Sequence, residues 1–489
     1  MFKDALLERR FWILMCWITV GLSFLARSST QSCTPSSTLQ ESALFGLSGQ
    51  DVAESSIAIG TNRVVVATLG QSGTVVRCRI AVRGSVDGSS SWTFEQQVPA
   101  VPIAGASQFD PTVVYDAQNG DFLVLVKHTS LSGSIHRVDV IRYHPSSNTF
   151  DQAWTNVATV TGAGLHIDRP FILAGAPDEF YVIWWNRITH QYHYRRTVNG
   201  GFQTSDWQGG VVTDSATGTP IAAGGFVQAS VYEGSSIYLA YYRDQTLRSI
   251  DLLEGADCGS AVCFTKLAGV GGSTLSVGLR TDFNGIDAIA PGDFPVGIIP
   301  QIAIDPTNYK RFYVVYHDSD ASSAADVNVY CQKAEAISGV WTLGSQMIVN
   351  DNPLPPAGCN ESSPHTDQFT PTAIVDSKGR LHVVYYDDKN LCQDDSASTA
   401  QSAFDLSYAV SCDAGVTFSR QTLSSLTQNE AFLDWRADAG NTFGPRDYNG
   451  IHFRERGDHV TVWVSACGTD SSGDSSSNET VTYGVRLIQ

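Results

Sequence analysis

One short phrase recurs along this 489-residue chain: a polar opening, an apolar strand, a turn, and a second apolar strand rich in Val and Tyr. It reads DPTVVYDAQNGDFLVLV at Asp110–Val126 and HIDRPFILAGAPDEFYVIWW at His166–Trp185. It returns as PQIAIDPTNYKRFYVVY at Pro300–Tyr316 and TPTAIVDSKGRLHVVYY at Thr370–Tyr386. Looser copies begin at Ser55, Val227 and Asp447. A hairpin with one apolar face can bury that face only against a neighbour, so seven of them imply stacked repeats rather than independent domains. Their spacing, about 55 to 60 residues early and about 70 to 80 later, leaves room for extra loops on each unit. A ring of such sheets leaves only short, protected edges. The expected fold is an all-β, seven-bladed β-propeller over residues 41–489, with six blades as the alternative.

Each blade needs four strands, the innermost opening the phrase. The last repeat offers strands near 448–453, 459–465 and 480–488, and then the chain ends. The missing strand is expected from the stretch near Ser42–Leu47, closing the ring by pairing the N-terminal and C-terminal strands. The longest insertion runs from Gly271 to Ile299, and its apolar and aromatic content argues for order.

Lys3, Arg9 and Arg10 precede the apolar run Phe11–Ala26, and small residues follow. That is the layout of a secretory signal, too short for a comfortable span of about 20 residues. Residues 1–28 read as a cleaved signal peptide and 29–40 as a linker, with a signal anchor as the alternative. The formal charge of −18 becomes −20 once residues 1–28, with four basic and two acidic side chains, are removed. A surface that acidic repels nucleic acid and anionic membranes, yet tolerates an anionic small ligand at a local Arg cluster. Export makes disulfides expected among the nine cysteines after Cys16: Cys258 and Cys263 could clip a local loop, and Cys359 could reach Cys392.

The first residues of the innermost strands gather at one mouth of the channel. Four repeats place an Asp there, in SQFDP (Asp110), HIDRP (Asp168), HTDQF (Asp367) and PRDYN (Asp447), with His166, Arg169 and Tyr448 beside them. Such a mouth suits acid–base chemistry on a sugar, or a cation such as Ca²⁺ held by oxygen ligands. The purely structural reading is that these Asp residues bind turn amides and tie blades together. The run DDKNLCQDD at Asp387–Asp395 reads as a solvated acidic loop, and no His/Cys spacing suggests zinc.

The segment SCDAGVTF at Ser411–Phe418 has the form Ser-x-Asp-x-Gly-x-x-aromatic, and SVDGSSSW at Ser85–Trp92 is a degenerate copy. It resembles the Asp-box of the sialidase-like propeller superfamily, and the resemblance covers the chain after Gln40 as an architecture. It implies a structural rim turn in which Asp413 accepts backbone amides, Gly415 takes φ > 0 and Phe418 plugs between strands. Within sialidases the last blade's inner strand carries a nucleophilic Tyr, and GPRDYNGIHF is similar in layout, which puts Tyr448 there. A phenol suits a sugar bearing its own carboxylate, because a neutral nucleophile avoids charge repulsion. The resemblance also implies Arg clamps on that carboxylate, for which Arg169, Arg280, Arg436 and Arg446 are the candidates. In place of the sialidase Arg-Ile-Pro this chain has Asp168-Arg169-Pro170, in its third repeat.

The expected protein is secreted and recognises, and hydrolyses, a terminal sugar of extracellular glycans. Tyr448 is the expected nucleophile, Asp168 or Asp110 the general acid/base, and Arg169, Arg280, Arg446, His166, Asp367 and Asp447 the substrate contacts. No cofactor is required, with Ca²⁺ as an optional ligand. The opposing expectation is a non-catalytic propeller that binds a protein or cell-surface partner. A polysaccharide lyase using His166 and Tyr448 is the third.

Overall fold

Continuous apolar runs in Val- and Tyr-rich strands build sheets buried on both faces, and the chain folds as an all-β propeller. The computed structural model describes residues 33, 35, 39–44, 55–72, 75–84, 92–101, 103, 105–161, 166–221, 227–232, 236–243, 248–259, 261–280, 288–289, 294–295, 300–319, 327–351, 368–387, 405–423, 450–456, 459–468 and 479–488. All strands lie in the unit Pro35–Gln489. Among the described residues, seven sheets carry four strands or more, and the insertion after Gly271 adds a two-strand hairpin, Ala288–Ile289 with Phe294–Pro295.

The first strands of sheets one to seven are Ser56–Ile59, Ser107–Asp116, Ile167–Ala174, Val227–Tyr232, Gln301–Ile304, Gln368–Val375 and Gly450–Arg456. Each touches the next in this order, and the seventh touches the first. Side-chain oxygens stitch neighbours where the ladders end: Val113 N–H donates to Ser56 Oγ at 3.1 Å, and Ile172 N–H to Thr112 Oγ1 at 3.1 Å. These bonds satisfy groups that an inner sheet edge would otherwise leave bare. Sheet seven contains Gly450–Arg456, His459–Gly468 and Glu479–Ile488, and Leu39–Leu44 pairs antiparallel with the last of these, Leu39 opposite Val485.

Cores form between sheets. Trp184 packs towards sheet two with Leu123, Val138 and Trp207, while its neighbour Trp185 faces sheet four with Val227 and Leu239. Trp463 of sheet seven, 1 % exposed, packs on Ile57, Ile59, Val64 and Val66 of sheet one, with the Arg83 guanidinium 4.4 Å over its ring. Burial of about 25 cal/mol per Å² of apolar surface makes these interfaces the main source of stability.

The turn at Ser411–Phe418 is a closed hydrogen-bond set. Asp413 Oδ1 accepts from the Val416 and Thr417 amides at 3.1 and 2.8 Å, and Gly415 stands at φ +81°. Phe418 is buried against sheet five. The degenerate copy's Ser85–Ser91 lies outside the described residues. Cys258 and Cys263 are disulfide-bonded across a hairpin, while Cys78 and Cys331 are free and buried. Cys359 and Cys392 also lie outside the description. The acidic run is corrected at its start: Asp387 is fully buried, accepting from Gln368 Nε2 and Ser407 Oγ.

His144 gives a pH-dependent contribution. Its Nε2 lies 2.8 Å from Asp151 and its Nδ1 2.9 Å from Asp121. The hydrogen bond to Asp151 raises its pKa, burial opposes the rise, and Asp121 adds to it. A raised folded pKa means stability fully present below the unfolded value near 6.5 and lost as pH rises through the folded value. The side chain is 32 % exposed, so solvent screening holds the effect to roughly 0.5–1 kcal/mol. Unfolding free energy should therefore fall between pH 6 and pH 9 in the native protein and fall less in His144→Gln. Equal pH slopes would remove this role.

Candidate functional site

The site forms where sheets two and three present the openings of their first strands. In sheets two, three and six the first strand bulges between Phe109 and Thr112, Asp168 and Phe171, and Phe369 and Thr372. Each bulge holds a proline: Asp110-Pro111, Arg169-Pro170 and Thr370-Pro371. Proline has no N–H for the ladder, and a bulge is where a strand tolerates it. The residue before each proline stands at positive φ, +50°, +49° and +46° respectively. Such backbones cost on the order of 1–3 kcal/mol each, and Thr370, β-branched, is the least suited.

These bulges correct the equivalence that the repeat suggests. Asp110 occupies the slot of Arg169 and Thr370, whereas Asp168 occupies that of Phe109 and Phe369. The two carboxylates are therefore not copies of one structural device. They converge from different slots on Lys127, which stands opposite Phe109 in the second strand of sheet two, Asp121–Thr129. Lys127 Nζ lies 2.5 Å from Asp110 Oδ2 and 3.2 Å from Asp168 Oδ1. Those two carboxylate oxygens can be no farther apart than the two distances combined.

Asp110 is the inner partner, its side chain 7 % exposed, and Asp168 the outer, 26 % exposed. Asp110 Oδ2 also accepts the Arg169 N–H at 3.2 Å, so it ties sheet two to sheet three as well. Burial alone would raise the Asp168 carboxyl, but Lys127, Arg169 and Arg187 outweigh it and hold the group below the usual carboxylate range. Asp168 is an accessible, ionised carboxylate beside a guanidinium-bearing residue. As an ionised carboxylate it can accept hydrogen bonds from a ligand.

Two histidines flank the cluster. His166 is exposed at the strand opening, and its ring centre lies 4.6 Å from that of His136, which is 5 % exposed. His136 Nδ1 is 3.4 Å from Thr129 Oγ1, and Nε2 is buried with no hydrogen-bond partner among the described residues. Burial first, then His166 and Lys127, lower the His136 pKa, which keeps the ring neutral at pH 7.

The expected Arg set divides. Arg169 lies in the cluster, but Arg280 is seated in sheet five, where its guanidinium donates to Tyr330 Oη at 3.0 Å and Gln346 Oε1 at 2.8 Å. Its backbone N–H is also taken, by Asp318 Oδ2 at 2.8 Å. Tyr448, Arg446, Asp447, Asp367 and Arg436 lie outside the described residues. Gln108 and Gln368, at equivalent strand openings, are fully buried and serve structure: Gln108 accepts the Cys78 N–H at 2.7 Å, and Gln368 accepts from Asn350 at 2.6 Å. Among the described residues no group of three or more His, Cys, Asp or Glu is arranged to hold a metal ion. Lys127 and His136 escape the sequence reading. A signal for the first exists, since a lysine in the otherwise apolar strand DFLVLVKHT needs a partner if buried.

No protein-family model matches the chain, and no curated protein matches it. Among solved structures it is similar to the GH93 alpha-L-arabinofuranosidase of Fusarium graminearum, with a TM-score of 0.42, 11 % identity, and 92 % of this chain and 97 % of that chain covered. It is similar to the Penicillium chrysogenum alpha-L-arabinanase, with a TM-score of 0.42, 10 % identity, and coverage of 91 % and 98 %. A third likeness is to the NanB sialidase of Streptococcus pneumoniae, with a TM-score of 0.40, 9 % identity, and coverage of 94 % and 70 %.

Proposed function

We propose that this chain is a secreted, sialidase-like propeller of seven blades that removes a terminal sugar from extracellular glycans at the channel mouth. Seven sheets whose first strands touch in cyclic order support that blade count, and the pairing of Leu39–Leu44 with Glu479–Ile488 supports a ring closed by the two ends. The observation that carries the activity is the bridged pair: Asp110 and Asp168 held by one ammonium at the strand openings, with Asp168 the accessible one. A Tyr nucleophile departs from the two-carboxylate scheme of most retaining glycosidases and needs one carboxylate as its acid–base partner, and Asp168 is the more accessible of the pair. On this reading Asp168 is the general base, Asp110 fixes Lys127 and the Arg169 backbone, and Tyr448 is the nucleophile. Arg169 with Arg446 clamps the sugar's carboxylate, and His166, Asp367 and Asp447 make further contacts. The turn at Ser411–Phe418 serves as an Asp-box, structural and without a catalytic part.

The test is hydrolysis of a fluorogenic sialoside by the mature chain, with Tyr448→Phe alongside. Turnover in the native protein and a loss of about 10³-fold or more in the variant would support the assignment. A folded native protein without turnover would favour a second reading, a propeller that binds a protein or cell-surface partner. Leu131 and Ile188 favour it: they are 84 % and 50 % exposed in the turns between the second and third strands of sheets two and three, beside the mouth.

A further inference from the structure

A second recess lies at the other end of the same inner strands. The hairpin turns after Ile59 and Asp116, with the turn after His144, enclose about 310 Å³ between sheets one and two. Tyr115 lies five residues beyond Asp110 on strand Ser107–Asp116, so the recess stands roughly 17 Å along that strand from Asp110. The two sites share an element and no residue.

The floor of the recess is aromatic and held in place. Tyr115 is half-buried, its ring 5.1 Å from that of Phe122 at 51°, and its hydroxyl is 2.8 Å from Thr61 Oγ1. Glycine is needed at position 60, because a Cβ there would stand 2.6 Å from the Tyr115 ring and 2.9 Å from Phe122. Arg454 of sheet seven donates to Gly60 O at 3.2 Å and steadies that turn. The rim is polar: Asn62 and Ser146 are exposed, and the half-buried Arg63 donates one N–H to Gly84 O. The neighbouring carboxylates are already engaged, Asp116 by Arg142 at 2.6 Å and Asp121 by His144 at 2.9 Å.

We propose that this recess is a second carbohydrate-binding site, for one uncharged sugar residue. A fixed aromatic surface accepts the C–H face of a sugar ring, and a few convergent amide, hydroxyl and guanidinium groups select its hydroxyls. The volume stands at the small end of ligand pockets, about 300–1,000 Å³, which suits a single ring rather than a long chain segment. The engaged carboxylates leave Arg63 as the one charged side chain on the rim, so the recess offers no acidic group to a cationic ligand. Occupancy requires no catalysis at the mouth, so this site stands or falls independently of the proposed hydrolysis.

The test is saturation-transfer NMR on the full mature chain with methyl β-D-galactopyranoside, methyl β-D-glucopyranoside and methyl α-D-mannopyranoside. At least one should bind with a Kd on the order of 1–10 mM. That binding should persist in Asp168→Asn and weaken at least tenfold in Ser146→Trp, which fills the recess from an exposed turn. Asn62→Trp fills it from the other wall and serves if the first variant misfolds. A tetrasaccharide of the same sugar binding as tightly as the methyl glycoside would assign the site to glycan chain ends, and methyl glycoside binding alone to free sugars. No transfer from any of the three, or transfer that survives both blocking variants, would overturn the proposal.

Discussion

Asp168→Asn should lower kcat for the hydrolysed glycoside by about 10²- to 10⁴-fold, the usual range for loss of a positioned acid–base group. The amide keeps the shape of the carboxylate and can still accept a hydrogen bond from Lys127, so a folded protein is expected. What it loses is the negative charge that Lys127, Arg169 and Arg187 stabilise against burial. The pH profile separates this role from mere packing. A base must be deprotonated to act, and the Asp168 pKa is held low, so native kcat/KM should stay high into mildly acid solution. It should fall only as pH drops through that lowered value. The variant should lack this acid limb. Activity above half that of the native protein would remove Asp168 from the chemistry.

Trp463→Ala should cost about 3–5 kcal/mol, the range for deleting a buried indole. The ring is enclosed by sheet one on one side and approached by Gly484 on the other, where a Cβ would stand 3.3 Å from it. It also carries the stacked Arg83, itself fully buried, whose pKa is lowered by that burial. Deleting the indole leaves both a void and a guanidinium without its aromatic cover. Urea denaturation would measure the loss, and Trp463→Phe should recover part of it. A cost under about 1 kcal/mol would mean that the interface between sheets seven and one collapses around the gap.

The sheets were legible because their second strands are written in long apolar runs. Phe312–Tyr316 and Leu381–Tyr386 are buried throughout, as strands packed on both faces must be. Which residues open the inner strands was legible too, from the polar start of each phrase. The register at those openings was not. The same bulge stands in both sheets, so the slots follow the inner proline: Asp110 lies directly before Pro111 and Asp168 two residues before Pro170, an offset that the shared Asp conceals. Lys127 was hidden for a different reason: its partners come from two other strands, and no local spacing joins them. Arg280 misled because a guanidinium near a Gly-rich insertion looks available, while its partners Tyr330 and Gln346 lie at least 50 residues away.

The left-handed residue before each inner proline has a consequence for how such a channel can diversify. In three sheets that one slot holds an acid, a guanidinium and a hydroxyl: Asp110, Arg169 and Thr370. The slot prescribes a backbone angle and leaves the chemistry open, and the strand registers on either side resume unchanged. A propeller built this way carries interchangeable sockets on its inner wall. Changing the occupant rewrites the charge held at the bulge and, with it, the bonds that the occupant makes, as Asp110 does with the Arg169 N–H of the next sheet.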